Sequence, residues 1–454
     1  MSDAQLDSVQ PFSRRGVCPA LSAPMQTGDG LLSRVAFTRA ISPRSLETLC
    51  TLATRHGNGL LDITARGGVQ FRGLTAESAA LLERDVSALG LPVRQGLAVE
   101  ISPVAGLDET AIADPRGIMD RICEHSAAQD LHERLAAKMS VIIDGGGHVS
   151  MGGLLADIRL KADSAGRDVF WLLMLGGTED KALRAGALRM EDAADVVLDL
   201  LSCLADRGTD ARGRDLDMET VQAICADRLI EDLSFPDAFE ALDNQHYGML
   251  HLSDGVFAVS VAPAFGQISA PALADICAQA TMLGISTVRP GPAHALFFVG
   301  NEAACSGLLD HARQAGFVTD AKDPRSSIAV CSGKPACASA YIATHELGTH
   351  AARHMSGLLD GSLSLHLSGC GKGCAHPASA PLTFSGSAGG LAFRYSGRAG
   401  DPADVILPFA EQRAALSRLA GLYEKEHKPG ENARALLARL GKDRIVAALR
   451  QEDR

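Results

Sequence analysis

The sequence predicts an α+β protein in which one unit is used twice, and three pairs of segments carry that prediction. Gly28-Asp29-Gly30 and Ser253-Asp254-Gly255 each open a strand, with apolar alternation through Val35 and Phe37 in the first case and through Val259 and Val261 in the second. Thr64-Ala65-Arg66 and Thr287-Val288-Arg289 each close a second strand, with the arginine 37 and 35 residues after the aspartate of the opening turn. Asp114-Pro115-Arg116 and Asp323-Pro324-Arg325 each begin a new segment. Similarity repeated in the same order along the chain is the mark of internal duplication.

Between the paired strands the spacing predicts helices. Leu46, Leu49 and Leu52 recur at helical intervals over Pro43–His56, and Leu273 and Ile276 do so over Ala270–Leu283. Second strands follow at Gly59–Arg66 and Gly284–Arg289, and later apolar runs at Phe170–Gly176 and Leu391–Gly397 form another pair. The division expected is 1–100 and 241–310 for two small βαβ-type units, and 101–240 and 311–454 for two larger α/β units. Beyond Pro408 two helices, about 409–428 and 431–450, flank the breaker Pro429-Gly430, and Leu436, Leu437, Leu440 and Leu449 give the second an apolar stripe.

Composition narrows function. The 454 residues are 46% hydrophobic, enough for sizeable cores, and carry a net charge of −11. That charge opposes a general nucleic-acid binder, and one Trp with four Tyr leaves no base-stacking platform. A polyanionic small molecule in a local basic pocket remains compatible with it. The chain has no apolar run long enough for a bilayer and no signal design at its N-terminus, so a cytoplasmic protein without membrane association is expected. Eleven cysteines are then reduced thiols or metal ligands rather than disulfides, and most of the scattered ones should be core.

Four cysteines stand apart. Cys331-x5-Cys337 and Cys370-x3-Cys374 form two pairs separated by 32 residues. Thiolates of this kind suit zinc or an iron–sulfur cluster. A six-residue step containing Pro335 is wide for one tetrahedral ion and natural for a cubane whose irons each take one thiolate. Gly371 and Gly373 let the backbone wrap closely, and Lys334 and Lys372 bring positive charge to an anionic site.

These cysteines, set in His366-Leu-Ser-Gly-Cys370 and Cys374-Ala-His376-Pro377, resemble the cluster motif of the nitrite and sulfite reductase superfamily. Thr64-Ala-Arg66-Gly-Gly-Val-Gln70-Phe71 resembles its Thr-x-Arg-x-x-x-Gln strand, which lies against the macrocycle. The resemblance implies that superfamily's duplicated fold: ferredoxin-like half-domains and larger α/β units related by a pseudo-twofold axis. It also implies a [4Fe-4S] cluster on Cys331, Cys337, Cys370 and Cys374. The opening Arg15-Gly-Val-Cys18-Pro19 through Gln26-Thr27-Gly28-Asp29-Gly30, with Gly-Cys370-Gly-Lys-Gly-Cys374, is similar to the cobalamin-pathway branch. For that branch the implied reaction is an oxygen-dependent monooxygenation of precorrin-3A: the meso carbon between rings A and D is hydroxylated and a ring-A acetate closes a γ-lactone.

A tetrapyrrole rimmed with carboxylates needs cations around it. Arg66 is the first candidate, followed by Arg34, Arg72, Lys138, Arg289 (read as the duplicate of Arg66) and His376. Sulfite reductases carry Lys-x-Lys where this chain has Lys138-Met139-Ser140, so the second anion-holding lysine is missing. That departure favours a macrocycle bound as substrate over one retained as sirohaem. A sirohaem-dependent nitrite or sulfite reductase is the alternative, and a non-catalytic Fe–S carrier or redox sensor is a further one.

Oxygen chemistry invites a mononuclear non-haem iron as a second cofactor, although the sequence identifies no ligands for it. His345-Glu346-Leu-Gly-Thr-His350 has one residue too many for a zinc-protease helix, while His350 and His354 fall one turn apart. Asp144-Gly145-Gly146-Gly147 reads as a turn between strands rather than a dinucleotide site, so electrons must come from an external donor or reductase.

Overall fold

The computed structural model describes residues 19–230 and 246–451; the Arg15–Cys18 start of the opening motif lies outside them. Among these residues four sheets carry the fold. The first combines Met25–Thr27, Gly30–Val35, Leu60–Ile63 and Val69–Leu74 with helices Pro43–His56 and Ala76–Ser87. The third repeats that plan with Gly248–Ser253, Val256–Val261, Thr287–Pro290 and Leu296–Gly300, and helices Ala270–Met282 and Glu302–Gln314. Ser42 and Ser269 cap the matching helices by accepting the N–H of Ser45 and Ala272, and each helix has Pro in its first turn.

The second and fourth sheets share another plan. Ala98–Ile101, Ser140–Asp144 and Ala156–Ala165 run parallel, then Asp168–Gly177 and Leu183–Leu188 return antiparallel. Likewise Ile328–Val330, Leu365–Ser368 and Ala380–Ser387 run parallel, followed by Gly390–Gly397 and Val405–Leu407. Loop 145–155 lies between two strands, as its glycine-rich start led us to expect, and those strands run parallel. In this plan it is the counterpart of the loop that carries Cys370 and Cys374.

The halves exchange chain. Gln267–Ser269 pairs with Leu60–Ile63, and Ile41 bridges Val288 at the mirrored position. A single core results, with Leu46 and Phe71 from one half and Ile276 and Phe298 from the other. Cys50 and Cys277 sit at matching positions of the two packed helices, and burial, reinforced by Glu47, pushes the Cys50 thiol up to about 12. Such thiols are inert core groups. Helices Gln412–Glu426 and Ala433–Arg450 bury Leu416, Leu419, Leu436 and Leu449 against Phe384 and Phe393 of the fourth sheet. Among the described residues, no helix is long and apolar enough to cross a membrane.

Strand register corrects one equivalence. Leu61 pairs with Phe71 and Ile63 with Val69, while Val288 pairs with Phe298 and Pro290 with Leu296. Turns 64–68 and 291–295 are therefore equal in length. Arg289 matches Asp62, and the residue matching Arg66 is Ala293. Thr-x-Arg recurs in the sequence, but its two copies are four residues out of register.

Candidate active site

The parallel strands of the fourth sheet end at one wall of a cavity of about 890 Å³. Cys331 directly follows Ile328–Val330, and Cys370 follows Leu365–Ser368, at the strand ends where open sheets hold ligands. All four motif cysteines line the cavity. The Gly369 N–H donates to Cys331 Sγ at 3.0 Å. Gly373 adopts φ +62, which takes the chain back past Ala399. Burial raises the Cys374 thiol, and Cys331, Cys370 and Cys337 raise it further. Four thiolates so close repel one another unless a cationic group sits among them.

No three or more His, Cys, Asp or Glu side chains among the described residues converge on a single ion. This leaves the expected mononuclear iron without a ligand set among these residues. The four cysteine side chains share the cavity wall, and soft thiolate donors in this number are the donor set of an iron–sulfur cluster.

The first sheet forms the facing wall. Arg72 is 2% exposed and all its donors are engaged: Nε and Nη2 meet Asp29 at 3.0 and 2.9 Å, Nη1 meets Asp62 at 2.8 Å, and Ser332 Oγ and the Ala336 carbonyl complete the set. Burial works to raise the Asp29 carboxyl, but the Arg72 hydrogen bonds and charge outweigh it and hold it below the usual range. Arg72 therefore lines the cavity as a brace for the loop that carries Cys331 and Cys337 rather than a free cation. Gly28 completes the brace: its N–H donates to the Ala336 carbonyl at 3.1 Å, and a Cβ there would stand 2.4 Å from the Ala338 nitrogen.

Of the remaining sequence candidates, Arg34, Lys138 and His376 line the cavity. Arg34 is held by the Gln70 amide oxygen, and the other end of that amide donates to Asp62 at 3.2 Å. Lys138 is exposed, with no carboxylate partner among the described residues. His376 faces Ser379 O at 3.3 Å and stacks edge-on with buried His366 at 5.6 Å between ring centroids.

Arg66 and Arg289 lie outside the lining. Arg66 pairs with Glu100 at 2.6 Å and donates to the Leu155 carbonyl at 2.6 Å, so it clamps the 150–155 loop that walls the cavity. Arg289 donates to Thr38 O at 3.2 Å, and burial pushes it down to about 10. Register places it at the Asp62 position of its own half rather than at that of Arg66. Ser140 is buried beneath the wall, where its N–H meets Asp157 at 3.0 Å.

Sequence reasoning missed several lining residues. Lys372, whose sequence position signals only charge beside the cysteines, reaches Ser339 at 2.8 Å. Arg325 is folded onto Asp323 at 2.5 Å, and the Asp-Pro-Arg repeat did signal that turn. Asp62, Gln70, His294 and His345 also line the cavity. Burial lowers the His345 imidazole, with Asp62 opposing and Arg72 adding to the effect. Asp62 is the only carboxylate on the lining against five Arg and Lys side chains, counted among the described residues.

Comparison with known proteins agrees with this architecture. Residues 23–89 match the nitrite/sulfite reductase ferredoxin-like half domain. The chain is 38% identical over 442 residues to a Sinorhizobium protein named precorrin-3B synthase, covering 96% of this chain and 95% of that one. It is 21% identical over 382 residues to sulfite reductase [ferredoxin] 1 of Mycolicibacterium paratuberculosis, covering 77% and 68% of the two chains. The fold resembles the Mycobacterium tuberculosis NirA protein with a TM-score of 0.73, at 18% identity over 91% of this chain and 84% of that one.

Proposed function

The chain belongs to the precorrin-3B synthase family of oxidoreductases, whose activity is a step of cobalamin biosynthesis, and we propose that its cavity binds precorrin-3A as substrate, with dioxygen as co-substrate. The observation that carries this reading is the charge contrast: a protein of net charge −11 presents a large cavity lined by five cations and one carboxylate, and with Arg72 held by Asp29 and Asp62 and Arg325 by Asp323, Arg34, Lys138 and Lys372 are the cations left to meet an anionic ligand. A volume of about 890 Å³ stands near the top of the range for small-molecule sites and suits a ligand of tetrapyrrole size.

In this reading Cys331, Cys337, Cys370 and Cys374 hold a [4Fe-4S] cluster. The bound cluster supplies one-electron transfer. Lys372 and the Gly369 N–H offset thiolate charge beside it. Arg34 and Lys138 receive substrate carboxylates, Lys138 from the rim and Arg34 from the floor, where Gln70 sets its direction. His376 follows the last cysteine by two residues and lines the cavity beside it. Electrons arrive from a separate carrier or reductase, and the enzyme works in the cytoplasm, where its thiols stay reduced.

Anaerobic purification with iron, sulfide and haem analysis of one sample, followed by precorrin-3A titration, tests the proposal. A cluster spectrum without sirohaem and a saturable precorrin-3A response are expected. Tightly bound sirohaem with sulfite or nitrite turnover would overturn it.

A further inference from the structure

The turn 291–295 delivers a histidine into the cavity, and the structure is built around it. His294 Nδ1 lies 2.6 Å from the Ile63 carbonyl. A carbonyl has no proton to give, so Nδ1 carries the hydrogen and the neutral ring presents Nε2 as a lone pair. Ala293 and His294 both adopt left-handed backbone, φ 56 and 64, which side chains seldom take. Gly266, at φ +76, leaves room for the ring: a Cβ there would stand 2.4 Å from His294 Nδ1. The Tyr247 hydroxyl donates to the Ala293 carbonyl at 3.0 Å and holds the turn's tip. Tyr247, Gly266, Ala293 and His294 all line the cavity.

Register makes this turn the duplicate of 64–68, and the two touch where Arg66 bridges Pro292. The copies have diverged. Arg66 in the first lies outside the lining and clamps the 150–155 loop, whereas the second aims an imidazole inward.

We propose that His294 Nε2 accepts a hydrogen bond from a pyrrolic N–H of a metal-free reduced tetrapyrrole, and so orients the macrocycle. The proposal rests on precorrin-3A being the ligand of this cavity. Its logic is complementarity: the lining cations match the carboxylate rim, and carboxylates offer nothing to a lone-pair acceptor, whereas the ring centre of a metal-free macrocycle offers N–H donors. Asp62, on the strand whose carbonyl the ring meets, is the charged group acting on His294; from the Gly266 turn and from Tyr247 no charge opposes it. Burial nevertheless keeps the imidazole below its ordinary range and neutral near pH 7.

The test is anaerobic titration of the cluster-loaded full chain with precorrin-3A, oxygen being withheld to prevent turnover. His294→Asn tolerates the left-handed backbone, but its short amide ends where Nδ1 stood and leaves no acceptor at the Nε2 position, so it should raise Kd about tenfold. His294→Gln, which restores an acceptor oxygen, should recover part of that loss. Wild-type affinity should fall at acid pH as His294 protonates, while His294→Asn should show a flatter profile. Tyr247→Phe frees the turn without altering the ring and should weaken binding in the same direction, which keeps the test available if His294→Asn folds poorly. Wild-type binding with an unchanged Kd and pH profile in His294→Asn would overturn the role of His294 alone. Failure of the wild-type chain to bind precorrin-3A would overturn the cavity reading, and this inference with it.

Discussion

Arg72 donates to the carbonyl of Ala336 at 3.1 Å, joining two residues 264 positions apart. The same guanidinium grips Asp29 with two hydrogen bonds, and Gly28 beside it packs on the backbone of Cys337. One buried cation thus ties the opening turn of the first half to the cysteine loop of the second.

Arg72→Ala leaves Asp29 and Asp62 without their counter-charge. The expected loss is about 3–5 kcal/mol, as for a broken buried pair, together with poor cluster retention. Arg72→Lys restores charge but not the planar fork, so it should recover only part of both. Denaturant unfolding and iron content per chain check this prediction.

Gly28→Ala places a methyl group 2.4 Å from the Ala338 backbone nitrogen, so the cysteine loop must move. The remainder of the first sheet has no reason to unfold. Reduced cluster absorbance per chain with near-normal far-UV circular dichroism is expected; full cluster occupancy would show that the contact yields without consequence.

Lys138→Ala and Arg66→Ala should separate binding from bracing. Lys138 faces the cavity, and losing one charge-assisted hydrogen bond of about 1.5–3 kcal/mol should weaken precorrin-3A binding tenfold or more. Arg66 holds Glu100 and the Leu155 carbonyl, so its removal should lower thermal stability and affect Kd less. Titration and melting of both variants decide between the two roles.

Much of this site was legible in the sequence because cysteine spacing and glycine placement are local signals. The four motif cysteines do meet at one cavity wall, and the Pro43–His56 helix and the duplicated fold, a small unit and a larger α/β unit used twice, came through. What failed depended on partners distant in sequence. Arg66 has motif position on its side, but Glu100 and Leu155 claim its guanidinium, and nothing near residue 66 announces them. Arg289 looked like a duplicate because Thr-x-Arg recurs, and only the pairing with Phe297 shows that it occupies the Asp62 position. His294 carries no motif, since its role arises from a turn whose counterpart in the other half has a different sequence.

His366 gives stability a defined pH dependence. It is fully buried, neither ring nitrogen has a hydrogen-bond partner, and burial with the added charge of His376 pushes it down to about 4. The unfolded chain binds a proton near pH 6.5 that the folded chain refuses until about pH 4. Its contribution is therefore complete above about pH 6.5 and is lost progressively down to about 4, amounting to about 3 kcal/mol. His366→Leu should flatten that part of the stability profile, as measured by urea unfolding across the interval.

The most direct test is turnover under ¹⁸O₂: the reduced, cluster-loaded enzyme is given precorrin-3A and an artificial electron donor, and the product is weighed by mass spectrometry. Incorporation of one ¹⁸O atom into a lactone product by a protein without sirohaem is the predicted result. Unchanged precorrin-3A, from a protein that instead carries sirohaem and reduces sulfite or nitrite, would contradict the account.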